Sequence, residues 1–128
     1  MNDLSSPFAS RDAQNNIINN PDIPTSEKFS DPIEEQAHRK KRLVVSLKLF
    51  SSFGFDEGVA GHITVRDPID HESFWVNPFG IHFSEVGITD LIRVTHEGKI
   101  VEGTNPVNAA AFAIHSRSHM AHPNINAA

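Results

Sequence analysis

Eight histidines among 128 residues are the chain's largest stock of reactive side chains. Three of them, His115, His119 and His122, fall at i, i+4 and i+7 in the run NAAAFAIHSRSHMAH. That spacing puts two or three imidazoles on one side of a helix. Two helical histidines four residues apart can chelate zinc, but a working site adds a third ligand and a general base. The metalloprotease pattern has Glu directly after the first His, and Ser116 stands there. The pair also adjoins an alanine-rich face, with Arg117 close by. The residues therefore read as structural or solvent-facing histidines rather than a metal centre.

Other chemistries find little support. There is no Gly-x-Ser-x-Gly elbow for a nucleophile, and neither a Walker loop nor a dinucleotide glycine run. The absence of cysteine removes disulfides and thiolate metal sites. A net charge of -5 and a pI near 5.8 argue against nucleic acid or an anionic membrane as partner. The one basic cluster, Arg39-Lys40-Lys41-Arg42, reads as the wet face of a helix. MNDLSSPFAS has neither the basic start nor the apolar core of a secretory signal, and no stretch is apolar enough to span a bilayer. The expectation is a soluble cytoplasmic protein.

The elements that would position these residues follow from pattern. Residues 1–30 are rich in Asn, Ser, Asp and Pro without periodicity and are expected to form a disordered tail. Residues 31–128 then make one domain. Asp31-Pro32 opens a helix, with Glu34 and Glu35 suited to its positive end. Leu43, Leu47 and Phe50 share its apolar face with Val44 beside them, and Gly54 stops it. HITVR (62–66) and SFWVNP (73–78) read as strands joined through the DPIDHES loop, with Ile63 and Val65 alternating against polar neighbours. Trp75 sits mid-strand and is expected in the core. Phe79-Gly80 turns the chain into Ile81-His82-Phe83, which could form a third strand. Thr89 is expected to cap a brief helical turn, and Ile92–Val94 and Lys99–Val101 to form a hairpin around His96-Glu97-Gly98. The last helix begins near Val107 or Asn108, with Ala109, Phe112, Ala113, Ser116 and Met120 on its buried face.

GVAGHITVRDP, FWVNPFGIHFSEV, ITDLIRVTHEGKIVEG and NAAAFAIH, in that order, resemble the N-terminal half of the class II aldolase/adducin family, especially its fungal members. The resemblance covers roughly Ile33 to Ala128 and implies an α/β fold. It would be a truncated three-layer α/β/α sandwich with a mainly antiparallel central sheet, since the family's domain is about twice as long. It also implies a zinc ion held by a Glu and three histidines, two of them in a His-x-His pair, which stabilises an enediolate during carbon–carbon bond cleavage. The position of the family metal-binding Glu is Ala111 here, and His115 matches a histidine that is not a ligand. The family's phosphate pocket maps onto Gly61, His62, Phe79, Gly80, Ala109 and Ala110. There the glycines persist and the hydroxyls do not.

The resemblance therefore implies no catalytic residue, no metal site and no cofactor in this chain, although zinc serves the family. Adducin likewise has a small residue in place of the Glu, in a helix reading Asn-Gln-Ala-Gly-Phe-Thr-Leu-His. The expectation is a catalytically silent relative of the metal-dependent lyases. The alternative is an adducin-like interaction subunit that associates with itself or with a full-length relative, because a half sheet exposes an edge and an apolar face.

Overall fold

A computed structural model describes residues 27–58 and 60–128; the tail expected over residues 1–30 lies almost wholly outside them. The described chain is built from two helices and a four-stranded antiparallel sheet of order β1-β2-β3-β4. Helix α1 spans Pro32–Ser52. The strands are β1 Thr64–Arg66, β2 Ser73–Val76, β3 Ile92–Thr95 and β4 Ile100–Glu102, and helix α2 spans Ala109–Ala121.

α1 starts as its residue types dictate. Asp31 is extended and accepts a hydrogen bond from Ile33 N at 2.8 Å, Pro32 fills the first turn, and Glu34 and Glu35 lie at the positive end of the dipole. Leu43, Val44 and Leu47 are buried, but Phe50 is 46% exposed and packs on the ring of Phe55 instead. The basic cluster divides. Lys41 and Arg42 face solvent, whereas Arg39 pairs with Glu35 and donates to Arg66 O at 2.8 Å. Lys40 lies 3.8 Å from the centroid of the Trp75 ring. A long basic side chain can lay its stem on apolar surface and keep its charge in water, so the cluster is only half a wet face.

Strand β4 is exposed throughout, whereas strands β1–β3 bury both faces of the sheet. On one, Trp75 joins Leu43, Val44, Leu47, Phe83, Val86 and Leu91, beneath α1. On the other, Phe74, Val76, Ile92 and Val94 pack with Val107 and Phe112, beneath α2. Period-2 alternation delivers this division, because Phe74 pairs with Val94 and Val76 with Ile92 across the same face. With a helix on each side, the result is the three-layer α/β/α arrangement with an antiparallel sheet.

Three local expectations are corrected. Residues Ile81 to Phe83 form no strand; a turn closes with Glu85 N donating to His82 O, and Phe83 drops into the core. The short 3-10 turn Ile88–Asp90 is capped by Asp90, whose Oδ2 accepts from Gly87 N at 2.8 Å, rather than by Thr89. On α2 the buried stripe is Ala111, His115, Ser116 and His119, while Ala109, Ala113 and Met120 are exposed. Phe112 is half-buried against the glycine of the β3–β4 turn. Gly98 has φ +91°, and a Cβ there would sit 3.1 Å from the Phe112 ring, so both backbone and space demand glycine.

One buried carboxylate joins α1 to the sheet. Asp67 Oδ2 accepts from Gln36 Nε2 at 2.6 Å and from Trp75 Nε1 at 2.7 Å, while Oδ1 accepts from Ile69 N and Asp70 N. Burial by itself would raise the Asp67 pKa; these four bonds outweigh it and hold the pKa below 3.8. A depressed carboxylate adds stability above its unfolded pKa and loses it as pH falls through the lower folded one. Asp67→Ala strands the indole and amide donors and should cost about 2–4 kcal/mol in urea unfolding at pH 7. The deficit relative to wild type should shrink below about pH 4. A variant within 0.5 kcal/mol of wild type would contradict this role.

Candidate functional site

The three segments singled out as a ligand pocket are brought together at one end of β2. Asn77 ties the first to the strand: its Oδ1 accepts from Ile63 N at 3.0 Å and its Nδ2 donates to Gly61 O at 3.1 Å. Gly61 lies so close to the Phe83 ring that a Cβ would stand 2.8 Å from it. The second segment is fixed to the approach of α2, with Phe79 N donating to Pro106 O at 2.8 Å. Phe79 itself is exposed and Gly80 has φ +88°. The third is the first turn of α2, where Ala109 and Ala110 face solvent and Ala111 is buried, 1% exposed.

The polar groups at this end are already engaged. Asn108 Oδ1 accepts from Ala110 N at 2.8 Å and Ala111 N at 3.2 Å, the helix amides that would otherwise greet an anion. His62 Nδ1 lies 3.0 Å from Ala60 O, which orients the ring as an Nδ1–H donor. Its ring meets the His115 ring edge-on at 4.7 Å. Among the described residues no three His, Asp or Glu side chains converge in a way that could hold a metal ion.

His115 and His119 do share a partner, and it is a hydroxyl. Thr64 Oγ1 lies 2.8 Å from His115 Nδ1, 2.9 Å from His119 Nε2 and 3.4 Å from Ala128 O. A hydroxyl has one proton to give, so at least one imidazole must meet it as an N–H donor. His122 takes no part: it is exposed at the end of the helix. Arg66, two residues along the same strand face, donates to the carbonyls of His71, His119, His122 and Ile125. The closing residues follow β1, with Thr64 N donating to Ala128 O at 2.8 Å and Arg66 N to Asn126 O at 2.7 Å. Thr64, Arg66, Asn77 and Asn108 were not foreseen as site residues. The available signals were Asn108 ahead of an alanine run and the Asn77-Pro78 turn.

Both shared imidazoles are held neutral. Burial lowers the His115 pKa, helped by the neighbouring His62. Burial, followed by the Arg66 guanidinium, lowers that of His119 from 6.5 to about 4. Such a histidine binds its proton more readily in the unfolded chain, so its contribution is intact above pH 6.5 and is lost as pH falls toward 4.

The sequence from 41 to 128 matches the model of the Class II Aldolase and Adducin N-terminal domain. The chain belongs to the class II aldolase and adducin family. It superposes on L-fuculose 1-phosphate aldolase from Glaciozyma antarctica PI12 with a TM-score of 0.77 and 43% identity, over 80% of this chain and 43% of that one. It is 43% identical to Decarboxylase NovR of Streptomyces niveus, over 77% of this chain and 37% of the relative. It is 36% identical to Alpha-adducin of Rattus norvegicus, over 64% of this chain and 12% of the relative. The chain thus spans about two-fifths of the decarboxylase and of the aldolase.

Stability should therefore fall by roughly 3 kcal/mol between pH 7 and pH 4 through His119 alone. Urea unfolding at several pH values checks this, with His119→Gln as reference. The variant should be less stable at pH 7 and show a flatter profile. Parallel profiles would remove His119 from the account.

Proposed function

We propose that this chain is a catalytically silent member of the family, with the aldolase scaffold but without the machinery for carbon–carbon bond cleavage. The observation that carries this reading is Ala111. The family resemblance sets the metal-binding Glu at this position, and the methyl group here is buried with no oxygen to offer a cation. The zinc that the family implies does not fit the residues present. His115 is already committed to Thr64, and no three potential ligands converge among the described residues. At the pocket positions Phe79, Ala109 and Ala110 supply no hydroxyl for a phosphate, and Asn108 covers the helix amides. No chemical step is assigned to the site, and a cytoplasmic setting belongs to the same proposal.

A second reading, an interaction subunit in the manner of adducin, is favoured by the far end of α1. Leu49, Phe50, Phe53 and Phe55 are 53%, 46%, 70% and 70% exposed, a run of large apolar side chains in one short segment. A second copy of the chain, which carries the same patch, would cover it in a self-complementary contact. No helix among the described residues is long and apolar enough to cross a membrane.

Two measurements test these readings. After dialysis against zinc chloride and removal of free metal, the purified chain should retain well below one zinc; one tightly held zinc per chain contradicts the silent reading. In sedimentation velocity the chain should self-associate, and the double variant Phe53→Ser, Phe55→Ser should shift it toward monomer. A wild-type chain that stays monomeric at high concentration contradicts the second.

A further inference from the structure

At the opposite end of the sheet from the family pocket, the β3–β4 turn and the later turns of α2 enclose a cleft of about 280 Å³. Its walls include Arg66, Glu72, His96, His119 and Met120. His96 and His119 are 6% and 1% exposed, and their rings lie nearly parallel, 8° apart with centroids at 6.5 Å. Both rings lean on Phe74. Both nitrogens of His96 lack a hydrogen-bond partner among the described residues, and Nδ1 of His119 closes none of good geometry, although the Ile125 backbone lies near enough to favour its protonated form. Buried polar atoms left without partners are uncommon in folded proteins, and three on two adjacent rings of one cleft mark a place for a ligand.

We propose that this cleft binds a small carboxylate, received by the ring N–H groups of His96 and His119. Three features select that chemistry. First, the Arg66 guanidinium behind His119 supplies a positive field, with four of its five N–H groups already given to backbone carbonyls. It attracts an anion and repels a cation chiefly through its charge. Second, two imidazole N–H donors match the two oxygens of a carboxylate, whereas a phosphate needs more. Third, a carboxylate already approaches: Glu72 Oε2 lies 3.3 Å from His96 Nδ1, at an angle that closes no hydrogen bond. The Glu72 side chain is 78% exposed and free to swing away. The arriving carboxylate takes the place that Glu72 approaches, with its apolar body against Met120 and Pro123.

Sodium acetate is the probe, with the His96 and His119 ring signals read by long-range 1H–15N spectra of the whole chain at pH 7. Wild type should show a saturable shift of both rings in the millimolar range. Glu72→Gln, at a solvent-exposed position, should bind several-fold more tightly because a competing negative charge is gone. His96→Phe should lose the response. The proposal is overturned by a linear, non-saturating shift, by unchanged affinity in Glu72→Gln, or by saturation with sodium phosphate or zinc chloride instead of acetate. Should His96→Phe fail to fold, the Glu72→Gln comparison alone decides.

Discussion

A single hydroxyl holds the two halves of this fold in register. Thr64 stands on β1, at one side of the sheet face beneath α2, and its oxygen is shared by His115, His119 and the carbonyl of Ala128. Helix α2 and the segment after it, more than fifty residues from Thr64 in sequence, are thereby fixed to one point on β1. The bonds are buried, so they are electrostatically stronger than in water, and each partner is costly to leave unmatched. Apolar packing by Phe74, Val76, Ile92 and Val94 supplies the bulk attraction of α2 for the sheet. That packing does not choose which stripe of an alanine-rich helix faces inward; the Thr64 bonds do.

This constraint accounts for what was and was not legible in the sequence. The strands, their antiparallel order, the capped start of α1 and the hairpin around Gly98 could all be read, because each depends on local signals: proline, glycine, capping side chains and period-2 alternation. The inward face of α2 could not. A search at helical spacing selects Ala109, Phe112, Ala113, Ser116 and Met120, of which Ser116 alone lies in the buried stripe, beside Ala111 and two histidines. Likewise, reading Ile63 and Val65 as the inward residues of β1 assumes one buried face. Here both faces are covered, and Thr64 and Arg66 are more deeply buried than either of them. Polar residues bury at no great cost only when partners wait for them, and all of those partners but the His71 carbonyl lie beyond residue 114. No window on β1 contains that information.

The candidate site shows the same division. Its three segments do converge at the end of β2, held by Asn77 and by the Phe79–Pro106 contact, as the order of the motifs implies. What the motifs did not convey is how completely the local polar groups satisfy one another. Asn108 occupies the helix amides, Ala60 O takes the His62 ring, and Thr64 takes His115. A histidine-rich sequence suggests ligands for a cation; in the fold these histidines serve as hydrogen-bonding struts between layers. The layers of this chain are joined by two-sided packing of the sheet and by the Asp67 and Thr64 networks.

The most direct measurement is the stability of Thr64→Val, a change that removes the hydroxyl and nearly preserves the shape. Urea unfolding at pH 7 should show a loss of about 2–4 kcal/mol, with the amides of α2 losing protection from hydrogen exchange before those of β2 and β3. Stability within 0.5 kcal/mol of wild type, with α2 still protected, would contradict the claim that this hydroxyl fastens the helix to the sheet.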